Sequence, residues 1–275
     1  MTCNNTRPHL NGPLTVAAIG LDIATSDKKA NLKAASTAIE AIAGHADIAV
    51  LPEMFSTGYI LQADTARNLA EPSDGPTIEW AAKLASACNL AIAGSFIALD
   101  HDGRLFNRAF LTEPSGETTY YDKHHLFSTG GEDKVYTSGH KAIPTIRFRG
   151  WNIALAVCYD LRFPIWLRNS HNGYDLLIIV ANWPDSRAYA WKHLLIARAI
   201  ENQAYVVGCN RTGSDDFGNY SGTSAIIDPK GQTIGTEAHL SDGIQCVMGR
   251  ISHSSLYEFR EKFPVLLHGD RFTID

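Results

Sequence analysis

Apolar and polar positions along this chain switch between two periods. Leu14-Thr-Val-Ala-Ala-Ile-Gly-Leu21 is a short, nearly continuous apolar run, the pattern of a buried strand. Asn31 to Ala43 then changes to helical spacing through Leu32, Ala35, Ile39 and Ile42, with Thr25, Ser26 and Asp27 upstream as caps. Asp47–Leu51 is a second short strand, closed by Pro52. Gly75-Pro-Thr77 precedes a helical stretch, Ile78 to Ala87, and Leu90–Ala98 is a third strand. Leu105–Thr112 and Thr118–Asp122 flank Glu113-Pro-Ser-Gly116, which reads as the turn of a hairpin.

The second half repeats the theme. Thr145–Phe148 and Asn152–Val157 are strands around an Arg149-Gly150 turn. Ile165–Ser170 is expected to be a short helix opened by Pro164, where a missing N–H costs little. Leu176–Val180 is a buried strand. Ser186–Asn202 is the clearest helix, with Trp191, Leu194, Leu195, Arg198 and Ala199 at helical spacing and Ser186 as its expected cap. Strands follow at Ala204–Gly208, Ser224–Asp228, Gln232–Gly235 and Gln245–Gly249, then an amphipathic helix over Ser252–Lys262. Helices alternating with strands and hairpins predict a mixed α/β fold with its core between layers.

Composition narrows the class. The chain has 275 residues, 45% of them hydrophobic and 19% charged, enough for a large core. No linker divides it, so residues 1–275 read as a single domain. The net charge is −5 and basic residues do not cluster, which disfavours nucleic acid as a partner. The cysteines, Cys3, Cys88, Cys158, Cys209 and Cys246, form no C-x-x-C pair, and the eleven histidines show no H-x-x-x-H spacing. A zinc site and a disulfide framework are therefore not expected, and the thiols are read as reduced and the protein as cytoplasmic. Met1 to Pro13 is polar, and Leu14–Leu21 is too short for a signal peptide or a membrane span.

Four residues could carry chemistry. Glu53 stands just past the Asp47–Leu51 strand, at the sheet edge where α/β proteins bind ligands. Lys123 ends the Thr118–Asp122 strand. Cys158 closes Ile153-Ala-Leu-Ala-Val157 ahead of Tyr159-Asp-Leu-Arg-Phe163, a strand, a sharp turn and a helix start. A thiol there is exposed above the sheet and near backbone N–H donors. Glu132 lies in Thr129-Gly-Gly-Glu-Asp133. Taken alone, each also reads as an ordinary group: solvated loop acids, a surface lysine, a small buried hydrophobe. Ser138-Gly-His-Lys141 matches S-x-x-K without a supporting element, and the sequons at Asn4 and Asn219 carry no weight in a cytoplasmic protein.

In combination these stretches resemble the nitrilase, or carbon–nitrogen hydrolase, superfamily. The motifs are Leu51-Pro-Glu-Met-Phe-Ser-Thr-Gly58, Tyr121-Asp-Lys-His-His-Leu-Phe127, Val157-Cys-Tyr-Asp-Leu-Arg-Phe-Pro164, Ala181-Asn-Trp-Pro184 and Arg198–Tyr205 through Gly208-Cys-Asn-Arg-Thr-Gly213. The resemblance covers a core of about 14–262. It implies an α–β–β–α sandwich that pairs into a larger layered homodimer. It also implies a triad of Glu53, Lys123 and Cys158, with Glu132 as second glutamate, and no metal or organic cofactor. The wording is similar to that of the omega-amidase branch, which hydrolyses monoamides of dicarboxylic acids such as 2-oxoglutaramate. The His124-His125 pair departs from the more usual single His. In that reading Cys158 attacks an amide, Glu53 moves protons, and Lys123 with the Tyr159 N–H meets the oxyanion. Tyr159, Phe127 and Trp183 are expected pocket walls, and Arg211 is the expected anchor for a distal carboxylate, with Arg187 and Arg162 as alternatives. A carbamoylase, aliphatic amidase or nitrilase would share the catalytic set, and a silent binding protein would be expected to have lost a member of it.

Overall fold

The computed structural model of the chain describes residues 12–240, 244–270 and 273. Cys3, Asn4 and nearly all of the polar stretch before Pro13 lie outside them. The elements in chain order are β1 (Leu14–Gly20), α1 (Lys28–Ala41), β2 (Ile48–Val50), α2 (Ala63–Leu69), α3 (Pro76–Cys88), β3 (Ala91–Leu99), β4 (Leu105–Thr112), β5 (Thr118–Asp122), β6 (Thr145–Phe148), β7 (Trp151–Val157) and β8 (Leu176–Ala181). They continue with α4 (Ala188–Asn202), β9 (Tyr205–Asn210), β10 (Thr212–Asp215), β11 (Gly218–Ser221), β12 (Ala225–Ile227), β13 (Thr236–His239), β14 (Gln245–Ile251) and α5 (His253–Lys262).

Two sheets hold the core. One runs β13-β14-β1-β2-β3-β4-β5 and the other β12-β9-β8-β7-β6. Their central strands are parallel, β1 with β2 and β2 with β3 in the first, β7 with β8 and β8 with β9 in the second. Antiparallel strands flank them. Alternate side chains of each strand serve different layers, as the period of two requires. Val16 and Ala18 of β1, Ile153, Leu155 and Val157 of β7, and Ile178 and Val180 of β8 meet between the sheets. Ala17 and Ile19 face the other way, onto Ala35 and Ile39 of α1 and Ile78 and Ala81 of α3. Ala154 and Ile179 face Trp191, Leu195 and Ala199 of α4. The result is the expected α–β–β–α order.

Local chemistry sets several boundaries. The Asp27 carboxylate accepts the Ala30 N–H and caps α1. Arg149 and Gly150 both take positive φ, 47° and 84°, in the tight β6–β7 turn.

Some expectations fail. Ile165–Ser170 is not a helix: residues 165–167 form turns, and the short 3₁₀ segment sits later, at Ser170–Asn172. Tertiary bonds replace helical ones there, because the Asn169 side chain accepts the Tyr174 N–H and donates to the carbonyls of Tyr174 and Asn202. Ser186 does not cap α4. A 3₁₀ turn, Asp185–Arg187, precedes the helix, and its N-cap residue Arg187 makes no side-chain cap. Gln232–Gly235 contributes one bridge, Ile227 to Thr233, and strand pairing resumes at β13. The β10–β11 hairpin and α2 carry no strong hydrophobic period and escape a reading by pattern. Among the described residues no helix is long and apolar enough to cross a membrane.

Candidate active site

The carboxyl ends of β2, β5, β7 and β8 converge where the two sheets face one another. Glu53 follows β2, Lys123 follows β5, Cys158 follows β7, and Asn182 and Trp183 follow β8. Backbone strain marks two of these turns. Met54 and Cys158 adopt φ of 45° and 44°, a conformation non-glycine residues avoid. The Met54 turn is tied down by its N–H, which donates to Ser95 Oγ at 2.8 Å. The Cys158 turn is tied down by Asp160. That carboxylate accepts the N–H of Val157 at 3.2 Å, the N–H of His125 at 2.9 Å and the Tyr121 hydroxyl at 2.9 Å. His125 Nδ1 is also 2.9 Å from it. Asp160 thus joins the Cys158 turn to the segment that carries Lys123.

Glu53, Lys123 and Glu132 are at most 1% exposed. Lys123 Nζ donates to Glu53 Oε1 at 2.9 Å and to Glu132 Oε1 and Oε2 at 2.9 and 2.8 Å. Glu132 Oε2 also accepts the Phe127 N–H at 2.7 Å. Asn107 Nδ2 bridges the carboxylates, 2.7 Å from Glu53 Oε1 and 3.2 Å from Glu132 Oε1. Asn182 holds Glu53 from the opposite sheet: its N–H donates to Oε2 at 2.9 Å and its Nδ2 to the Glu53 carbonyl at 3.0 Å. Glu53 is therefore fixed in orientation by groups from both sheets.

The charges control one another. Burial alone would lower the Lys123 pKa, but Glu132 and Glu53 outweigh it and hold the ammonium well above its ordinary range. Burial pushes Glu132 up, and Glu53 adds to the rise while Lys123 opposes it. Burial also raises the Cys158 thiol, followed by the charge of the nearby Glu53. The resting group is then a thiol beside a carboxylate able to receive its proton. Cys209 contrasts with it. Its thiol is fully buried in β9 and donates to the carbonyls of Ile19 and Val50, a packing role. The described cysteines, Cys88, Cys158, Cys209 and Cys246, are all free. Among the described residues no group of three His, Cys, Asp or Glu side chains is arranged to hold a metal ion.

A pocket of about 530 Å³, part of it open to solvent, lies over this cluster. Phe127, Tyr159, Trp183, Arg162 and Arg187 line it together with Glu53, Lys123 and Cys158. The Arg162 guanidinium sits 5.0 Å from the Trp183 ring centroid and that of Arg187 5.2 Å from Phe127. Neither pairs with a carboxylate among the described residues. Arg211 is not in the pocket, contrary to expectation. It is fully buried, donates to Asp215 Oδ2 at 2.6 Å and to the Ile23 carbonyl at 3.1 Å, and stacks over Tyr220. Its donors fasten the β10–β11 hairpin instead. Glu132 is buried against Lys123 rather than solvated in a loop.

Sequence reasoning passed over Asn107, Asn182, Asp160 and Tyr59. A signal existed for Asn107, a poor strand former inside the apolar run of β4. Asn182 and Asp160 sit inside quoted motifs. Tyr59 carries no local signal.

A family model described as carbon-nitrogen hydrolase matches residues 15–261. Omega-amidase YafV of Escherichia coli (strain K12) is 44% identical over 250 residues, covering 90% of this chain and 93% of that protein. A 2-oxoglutaramate amidase of Bacillus subtilis is 34% identical over 253 residues, 91% of this chain and 95% of the relative. A solved structure from Xanthomonas campestris, described as a CN-hydrolase superfamily protein with an arsenic adduct in its active site, superposes with a TM-score of 0.87. It is 37% identical and covers 96% of this chain and 99% of that one.

Proposed function

This chain belongs to the carbon–nitrogen hydrolase family and is an amidase, and from that premise we propose that it is an omega-amidase. Its substrates are monoamides of dicarboxylic acids, such as 2-oxoglutaramate and 2-oxosuccinamate, which it converts to the free acid and ammonia. The observation that carries the reading is one pocket with a thiol, a carboxylate and a lysine at its base and, on its walls, two arginines that pair with no carboxylate among the described residues, the lysine being held from behind by the buried Glu132.

The chemistry follows from the placement. Cys158 Sγ attacks the amide carbon as Glu53 takes the thiol proton. The carbonyl π electrons move onto oxygen, facing Lys123 and the N–H of Tyr159, a first-turn amide that its own short helix leaves unpaired. Glu53 returns the proton to nitrogen, the C–N bond breaks, and ammonia leaves a thioester on Cys158. Glu53 then removes a proton from water as it attacks the thioester, and the thiolate departs and is reprotonated. Lys123 is already committed to two carboxylates, so it acts through its fixed charge more than through a free N–H. Glu132 grips Lys123 and keeps it in place.

Arg162 and Arg187 receive the distal carboxylate, with Phe127, Tyr159 and Trp183 packing on the chain between. The proposal extends to a cytoplasmic homodimer, the assembly the family resemblance implies. Steady-state kinetics of Arg187→Ala and Arg162→Ala test the substrate class. Loss of a charge-assisted contact should raise KM for succinamate by roughly tenfold or more and leave that for butyramide unchanged. Equal KM shifts for both amides, or a wild type that prefers butyramide or an N-carbamoyl amino acid, would remove the dicarboxylate reading.

A further inference from the structure

Two polar atoms at the pocket have no partner among the described residues, the Tyr59 hydroxyl and Asn182 Oδ1. Both residues line the pocket beside Glu53, Lys123 and Cys158. Both atoms are buried, and no protein group among the described residues satisfies them. Neither is free to relax away. Asn182 is pinned by its two bonds to Glu53, and the Tyr59 ring packs edge-on against Phe217 with centroids 5.3 Å apart. Buried orphans held in place beside a reactive group are the mark of a site waiting for its complement.

Their chemistry is complementary to a primary amide. An amide group brings one strong acceptor, its carbonyl oxygen, and two N–H donors. Asn182 Oδ1 can only accept, because the other end of that side chain is spent on the Glu53 carbonyl. The Tyr59 hydroxyl can donate, and burial pushes its pKa up, so it keeps its proton. Lys123 has its N–H groups directed at Glu53 and Glu132, which leaves room for a neutral donor at the carbonyl oxygen.

We propose that Tyr59 and Asn182 are the amide-recognition pair of this enzyme, Tyr59 donating to the substrate carbonyl oxygen and Asn182 accepting from the amide nitrogen. Asn182 then holds the leaving nitrogen next to Glu53, the group that protonates it. The inference rests on the amidase reading of the site but not on the distal carboxylate. It also predicts selectivity, since an ester or a nitrile has no N–H to offer Asn182.

The test crosses two variants with two substrates, succinamate and monomethyl succinate, which share a carbonyl and differ in the N–H. Tyr59→Phe should lower kcat/KM for both by a similar factor, on the order of 10²-fold as for loss of one oxyanion donor. Asn182→Ala should lower kcat/KM for the amide at least tenfold more than for the ester. The rate of Cys158 modification by methyl methanethiosulfonate, which needs no carbonyl recognition, should stay near wild type in Tyr59→Phe. The melting temperature of that variant should not fall, because an unpaired buried hydroxyl has been removed. Tyr59→Phe within twofold of wild type on both substrates would overturn its role. So would a loss of activity matched by lower thiosulfonate reactivity or lower stability. Equal losses on amide and ester in Asn182→Ala would reduce Asn182 to a support for Glu53. A wild type that hydrolyses neither compound nor any other amide would remove the amidase reading, and this one with it.

Discussion

Two carboxylates and one ammonium share a space closed to water around Lys123, and each depends on the others for its charge. Glu53 and Glu132 both reach Lys123 Nζ within 2.9 Å, with Asn107 as a neutral bridge between them. Lys123→Met keeps the side-chain volume and removes the cation, leaving two buried carboxylates without a counter-charge. We expect loss of activity and a fall in unfolding free energy of about 3–5 kcal/mol, measured by urea denaturation at neutral pH. Adding Glu132→Gln to that variant should restore part of the stability and none of the turnover. A stability within about 1 kcal/mol of wild type, the scale of an exposed pair, would show that the cluster is not the closed charge system described. Glu53, Lys123 and Cys158 could be singled out because whole motifs surround them, and Glu132 only through its spacing nine residues after Lys123. Arg211 misled because its place after a strand suggested a pocket rim. Its burial, with Asp215 four residues on, depends on a hairpin with no apolar alternation. Asn107 stood out only as a poor strand former inside β4, and its role was not legible because its partners lie 54 and 25 residues away.

At the scale of elements, α4 and β9 illustrate how much depends on close approach. Gly208 sits in β9 under the helix, where an added Cβ would stand 2.5 Å from Leu195 and 2.8 Å from Trp191. Gly208→Ala should therefore destabilise the protein by about 1–3 kcal/mol, as overpacking does. Leu195→Ala alone should also destabilise it, by about 2–5 kcal/mol through the cavity it leaves. Combined, the two changes should cost less than their sum, since the new methyl enters the vacated space. Denaturant titration of the single and double variants checks this, and strict additivity would contradict the packing described. α4 was legible because fifteen residues of helical period need little else. The 165–170 segment was misread because Pro164 permits a helix that Asn169 then dissolves by bonding to Tyr174 and Asn202. Short elements held by tertiary contacts, such as α2 and the β10–β11 hairpin, leave no periodic trace.

For the whole molecule, the sheet edge is what turns scattered residues into a site. Glu53 and Lys123 follow strands of one sheet and Cys158 and Asn182 strands of the other, so the layered arrangement is what brings these four residues together. Strand periods alone predicted a mixed α/β fold with a core between layers. They did not say which strands share a sheet, because pairing between residues far apart in sequence is not written in local pattern. Family resemblance supplied the sandwich, and the alternation of β1, β7 and β8 side chains between layers accounts for it physically. The central claim is that this assembly turns Cys158 on an amide carbon. Ammonia release from 2-oxoglutaramate by wild type and by Cys158→Ala, both folded by circular dichroism, tests it most directly. The account predicts steady release by the wild type and none above background by the variant. Release by Cys158→Ala at a rate near wild type would contradict it.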